Sequence, residues 1–314
     1  MPTYNLKTAL LMTAVLSGCG GAAIVTAQQM RMHTATATRD VDPVPANQTA
    51  PGQNEVRFST WGNTRKVTSN SIPNHLVGQF PNAENPNTMS EHDFALEMPL
   101  RPEKASRTTS GQGWTFGVSL NGVVFDPFGG EFWQGNRAWN YDPFGNAVGF
   151  GLDANNAHVQ PTGKYHYHGI PFGLLELLRY DENAHSPLVG YAADGFPIYA
   201  MTGVTNDGVT QMTSSYRLKS GSRPTSNAPG GAYDGAFVND WEYVAGLGNL
   251  DACNGAMTTS AEYPDGTYAY FLTTEFPFVP RCFTGTPDSS FRHGGGGGAR
   301  PGGGPPPQGR PPRP

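Results

Sequence analysis

The sequence predicts a mainly β domain, an antiparallel β-sandwich or barrel-like fold with few short helices and long loops. Three observations carry this. Apolar and polar residues alternate in short runs that break at Asn-Gly or Asp-Gly, the strongest short-range hairpin signal. Helical period is scarce. The 314 residues include 41 Gly and 28 Pro, and short strands between Gly/Pro turns belong to sandwiches and barrels.

The elements follow in order. "GWTFGVSLNGVVFDPF" alternates and turns at Asn121-Gly122. "PFGLLELLRY" is the best helical stretch, with Phe172, Leu175 and Leu178 on one side and Pro171 suited to the first helical position. "LVGYAADGFPIYAM" repeats the strand–turn–strand pattern around Asp194-Gly195. "DGTYAYFLTTEFPFVPRCF" opens with a strand. It sets Tyr268, Tyr270 and Leu272 on one face and Thr267, Ala269 and Phe271 on the other.

The ends of the chain are of a different kind. Lys7 precedes an apolar stretch from Ala9 to Leu16, too short to span a bilayer, with the build of a secretory signal over residues 1–18. Leu16-Ser17-Gly18-Cys19 resembles the lipobox of bacterial lipoproteins, which implies cleavage before Cys19 and acylation of its thiol. Several chains on one cysteine anchor stably, because each buried methylene contributes about 0.8 kcal/mol. Gly20, not Asp, follows, which points to the outer membrane of the cell envelope. The alternative is an ordinary signal peptide with a chance cysteine. Residues 19–54, rich in Ala, Thr and Gln, read as a flexible tether. Residues 55–290 hold one domain, and 291–314 form a Gly/Pro-rich tail that cannot bury a core. That tail carries Arg292, Arg300, Arg310 and Arg313 and no acid, so the body is more acidic than the overall net charge of −5. This balance argues against nucleic acid as a partner of the folded part. The membrane, reached through the anchor, is the expected partner.

The chain has three cysteines. With Cys19 lipidated, Cys253 and Cys282 remain as an even pair in an oxidising compartment. A bridge between them closes a loop of about 30 residues, worth roughly 3–4 kcal/mol in the chain-entropy model. The alternative is two buried free thiols.

Several motifs together resemble the YHYH domain family. They are "GKYHYHGIPFGLL" with Tyr165-His166-Tyr167-His168, "LVGYAADGFPIYA", "SNSIPNHLVGQFPN", "FDPFGGEFWQG" and "LDACNGAMTTSAEYPDGTYAYFLTTEFPFVPRCFTGTPD". The resemblance runs from about Arg57 to Asp288. It brings no catalytic residues with it, so the chemistry rests on the residues themselves.

Within the four-residue run, strand alternation puts His166 and His168 on one face and Tyr165 and Tyr167 on the other. Upstream lies "HVQPTGKY". Pro161 pre-sets a turn, and Gly163 can take the left-handed position of a three-residue hairpin loop. With Pro161-Thr162-Gly163 as loop, Gln160 pairs with Lys164 and His158 with His166. Three imidazoles then share a face, two of them opposed at about 5 Å between Cβ atoms. Neutral imidazole suits a divalent transition metal such as zinc or copper, and three nitrogens leave an open position. His75, Glu131, Asp153 or Asp251 can supply a fourth ligand. The competing reading is a hydrogen-bonded histidine cluster in an aromatic core.

Two other functions follow from the sequence. One is a metal-dependent hydrolase with Glu131 or Asp194 as base, since no GxSxG elbow is present. The other is a glycan-binding or structural cell-envelope module that uses the tryptophans. Trp61, Trp114, Trp133, Trp139 and Trp241 are the candidates, two of them in "EFWQGNRAWNY".

Overall fold

The computed structural model describes residues 42–145 and 147–293. The expected signal peptide, Cys19 and most of the tether and tail lie outside the described residues. The architecture is mainly β, as the alternation requires. Three antiparallel strands come first: β1 (Val56–Trp61), β2 (Thr64–Ser69) and β3 (Phe94–Pro99). Then follow β4 (Thr109–Ser110), β5 (Gly117–Ser119), β6 (Val124–Phe125), β7 (Ala157–Val159) and β8 (Tyr165–Tyr167). A short helix, α1 (Phe172–Leu177), precedes β9 (Gly190–Ala192), β10 (Pro197–Ala200), β11 (Thr202–Thr205) and β12 (Gly208–Gln211). The last strands are β13 (Tyr216–Leu218), β14 (Trp241–Tyr243), β15 (Gly255–Thr258), β16 (Thr267–Leu272) and β17 (Cys282–Phe283).

Eight of these strands make one sheet in the order β15-β16-β10-β9-β5-β6-β8-β7. Its pairings are antiparallel except β10 with β16 and β6 with β8. The sheet does not close; β15 and β7 are its edges. β11-β12, β13-β14 and β4-β17 form small two-stranded sheets. No helix among the described residues is long and apolar enough to cross a membrane.

One local device recurs along the large sheet. Ser119, Gln160 and Ala192 each close a three-residue loop by accepting from the third loop residue, Gly122, Gly163 and Gly195 respectively. Those glycines have φ of +80°, +91° and +90°, the left-handed region where a side chain is strained. The Asn-Gly, Thr-Gly and Asp-Gly pairs are thus the last two residues of one loop type used three times.

The core sits against both faces of the sheet. On β16 the expected alternation holds. Ala269 and Phe271 pack with Leu188, Tyr199, Met212 and Leu250. Tyr270 turns the other way, edge-on to Phe116, which stacks on Phe283. Burying each such ring stabilises by about 1.5–3 kcal/mol. The helix differs slightly from expectation. Pro171 precedes the first helical residue and offers its carbonyl to Leu175 N at 3.0 Å, and the buried pair is Leu174 and Leu175. Cys253 and Cys282 are joined by a disulfide with Cα atoms 5.1 Å apart.

Backbone pairing extends past both expected domain limits. Val44 bonds to Leu152 and Ala154, and Gln48 pairs with Val77, inside the segment read from composition as tether. At the other end Phe291 O accepts from Thr115 N and His293 N donates to Gly113 O. Composition does not report such main-chain pairing, which needs only an accessible edge.

Candidate metal centre

The Pro161-Thr162-Gly163 loop sets the register of β7 against β8. His158 faces His166, Val159 faces Tyr165 and Ala157 faces Tyr167. His168 N donates to Asn156 O at 2.8 Å, which continues the same register one step further. Period-2 alternation then separates two sets of side chains across the strand, all of them buried.

The tyrosine face is a closed hydrogen-bond network. Tyr165 OH donates to Asp153 Oδ2 at 2.7 Å. Asp153 also accepts from the N–H groups of Gly78, Asn155 and Ala157. Desolvation pushes this carboxyl up to about 6 despite those bonds. Tyr167 OH donates to His75 Nε2 at 2.6 Å and accepts from Asn121 Nδ2 at 3.0 Å. The Nδ1–H of His75 goes to Leu76 O at 2.8 Å.

The histidine face is different. One candidate ligand atom from each of His158, His166 and His168 lies within 4.8 Å of the others, so the trio can hold a metal ion. His158 Nε2 stands 3.1 Å from His168 Nε2. Two nitrogens sharing a tetrahedral zinc at about 2.0–2.1 Å would stand about 3.3–3.4 Å apart, so this spacing fits a common ion after a small adjustment. His158 Nδ1 donates to Phe150 O at 2.7 Å. Asn85 Nδ2 also sits 3.0 Å from that nitrogen, but its two protons are used on Val159 O at 2.9 Å and Phe150 O at 3.4 Å. His166 Nδ1 reaches Lys164 O at 3.3 Å. Ligating imidazoles are normally oriented in this way, with the second ring nitrogen on a carbonyl.

His168 is the informative member. His158 Nε2 carries a lone pair, because its proton is on Nδ1. For the 3.1 Å contact to be a hydrogen bond, His168 must hold its proton on Nε2. Its Nδ1 then needs a donor, and Nδ1 is buried with no hydrogen-bond partner. The opposite tautomer puts a proton on Nδ1, toward the Asp126 carbonyl that acts on this ring. It also leaves two lone pairs facing each other, as a cation between them requires.

Burial holds all three rings neutral. Desolvation brings His158 down to about 4 and His166 and His168 well below the ordinary histidine value, and the neighbouring rings add to the depression of the last two. Neutral imidazole is the ligating form.

Of the four candidate fourth ligands, three are placed away from the trio. His75 and Asp153 belong to the tyrosine-face network just described. Asp251 accepts from Cys253 N, Gly255 N and Tyr268 OH beside β15 and β16. Glu131 and Phe150 both border Gly129: a Cβ there would stand 2.7 Å from Phe150 Cζ and 3.0 Å from Glu131 Oε2. Phe150 is the ring packed on His158 and His168. Desolvation raises the Glu131 carboxyl. Asp194, named as a possible base, is buried on Tyr270 OH and Gly285 N and is raised to about 6 by desolvation.

The structure adds a carboxylate that the sequence reading did not single out. Parallel pairing sets Val124 level with His166 and Phe125 with Tyr167. Asp126 is therefore level with His168 and on the histidine face. Its field raises His158 against the desolvation that lowers it. Its side chain is 14% exposed and lies 3.2 Å from His293 Nε2, a contact that raises His293. Lys164, half-buried with its amine 4.6 Å from the Phe94 ring, is pushed down by desolvation.

No curated protein and no solved structure matches this chain. The model of one family, described as YHYH protein, matches residues 95–285, more than half of the chain. That span holds the β7–β8 hairpin, both faces of it, and Asp126. The chain belongs to the YHYH protein family.

Proposed function

We propose that this is an exported, lipid-anchored cell-envelope protein whose YHYH domain binds a divalent transition metal, zinc or copper, through His158, His166 and His168. The observation that carries the metal reading is the set of three buried, neutral imidazoles converging within 4.8 Å, with Nε2 of His158 and Nε2 of His168 facing each other at 3.1 Å. A histidine cluster serving only the core would set a donor against an acceptor there and still pair the other ring nitrogens, as the tyrosine face does for His75. Asp126 is the carboxylate placed to complete or tune the site. The anchor at Cys19 rests on the lipobox resemblance, and acylation lost in Cys19→Ala would be its signature.

The decisive measurement is the metal content of the full chain purified without chelator. About one equivalent of zinc or copper per chain is the expected result. A metal-free protein whose thermal midpoint ignores both added ions would overturn the reading.

A hydrolase reading is favoured by one observation. Three protein nitrogens leave a position open for water, and Asp126 is the partly exposed carboxylate beside it. A bound divalent ion would supply an activated water there. Asp126 would accept its proton, and His293 would balance the charge. Esters and phosphoesters assayed with wild type and Asp126→Asn test this reading. Hydrolysis unaffected by the substitution would count against it.

A further inference from the structure

A second concavity lies between the Asp126–Asn140 loop, the start of β13 and the segment that ends in Arg281. It has a volume of about 290 Å³, and its lining includes Phe128, Arg137, Asn140, Tyr216, Phe276 and Arg281. The Arg281 side chain is 9% exposed. Its guanidinium sits between two rings, 4.9 Å from the Phe128 centroid and 4.6 Å from that of Phe276. Nη2 donates to Asp142 Oδ2 at 2.7 Å. Nε and Nη1 are buried with no partner, which leaves three N–H bonds unused.

Asn140 shows the complementary defect. Its amide nitrogen donates to Gly129 O and Glu131 O. Its Oδ1 is buried and accepts nothing. Folded proteins leave few such groups without partners, and the two residues that carry them here, Arg281 and Asn140, both line one cleft.

We propose that this cleft binds a small hydroxycarboxylate. The carboxylate is taken by Arg281, with Arg137 at the mouth, a hydroxyl donates to Asn140 Oδ1, and the carbon skeleton lies against Phe128 and Tyr216. A flat bidentate guanidinium suits a carboxylate. Sulfate would meet Arg281 but has no proton to offer Asn140, so the acceptor selects for a ligand with a hydroxyl. The volume lies at the lower edge of the usual ligand range of about 300–1,000 Å³, which limits the occupant to one ring or a short chain. A free hydroxy acid and a terminal uronic acid of a glycan share this chemistry.

The test is calorimetric titration of the full chain with glucuronate, gluconate, a glucuronate-terminated disaccharide, glucose and sulfate. Glucuronate or gluconate binding at least about tenfold tighter than both glucose and sulfate is the expected result, since a site built to pair a group rejects the analogue that lacks it. Preference for the disaccharide assigns the glycan source, and preference for gluconate the free acid. Arg281→Lys should abolish binding, but Arg281 also holds buried Asp142. Ala138→Trp is therefore the deciding variant, because Ala138 is exposed on the rim of the cleft. It should keep the thermal midpoint and lose at least tenfold in affinity. The proposal fails if glucose or sulfate binds as well as the hydroxy acids. It also fails if neither hydroxy acid binds, or if affinity survives Ala138→Trp. Metal content is read separately and does not enter these outcomes.

Discussion

The two faces of the β7–β8 hairpin are equally buried and chemically unlike. On the tyrosine side both hydroxyls, the His75 ring and the Asp153 carboxylate have partners. On the histidine side Nε2 of His158 and Nε2 of His168 face each other at 3.1 Å, and with the His158 proton on Phe150 O no tautomer of His168 both bonds that contact and pairs its Nδ1. Burial alone therefore does not mark a site. What distinguishes a structural polar cluster from a ligating one is whether the hydrogen-bond account closes.

That contrast can be broken from either side. The largest effect should come from Asp153→Ala. It strands the N–H groups of Gly78, Asn155 and Ala157 and the Tyr165 hydroxyl, and at about 1 kcal/mol or more for each of these four groups the total loss should reach at least about 4 kcal/mol. Denaturant unfolding of the metal-free protein measures it, and a loss below about 1 kcal/mol would show that the tyrosine network is not structural. His166→Ala should do the reverse. Stability without metal should change far less, while affinity for zinc or copper falls at least about 100-fold, beyond the 10–100-fold typical of an outer-shell partner. Equal loss of stability and affinity would erase the distinction between the faces.

Tyr167→Phe sharpens the comparison. It should lower stability by about 1–2 kcal/mol, because His75 Nε2 and Asn121 Nδ2 lose a partner, and leave metal affinity unchanged. A tenfold loss of affinity would show that the faces communicate. Asp126→Asn should cost about tenfold in affinity with little effect on unfolding. Full affinity in this variant would remove Asp126 from the site.

The smallest effect is on pH dependence without metal. His158 titrates near 4 in the fold against 6.5 normally. Its contribution is present above about pH 6.5 and is lost as pH falls through 4. Asp153 is raised from 3.8 to about 6. Its contribution is complete below about pH 3.8 and is lost as pH rises through 6. Thermal midpoints from pH 3.5 to 7.5 should therefore shift in opposite senses. His158→Asn weakens the acid-side loss, and Asp153→Asn weakens the loss on the neutral side. Parallel shifts in the two variants would contradict the assignment.

Much of the trio was legible because its causes are local. A proline, a loop glycine and strict alternation put His158 opposite His166 with His168 two residues on, and no distant contact is needed for that parity. The bridge from Cys253 to Cys282 was legible from the cysteine count and the expected compartment. The fourth group was not. His75 and Asp153 come from loops that fold over the tyrosine side, and nothing in a loop's composition states which face it will cover. Asp126 reaches the trio through a parallel neighbour. Its partner His293 lies in a stretch that composition reads as tail.

By itself, then, the sequence determined the β class, the hairpin loops, the disulfide pair and the shared face of three histidines. Each follows from residue type, spacing and the twofold period of a strand, and these act within a few residues or on a simple count. Only the tertiary structure decided that the tyrosine face is satisfied and the histidine face is not, that Asp126 stands beside His168, and that Arg281 and Asn140, each with unused hydrogen-bonding groups, line one cleft. Satisfaction of a buried polar group depends on every element that closes over it, and strands distant in sequence meet only when the sheet is assembled.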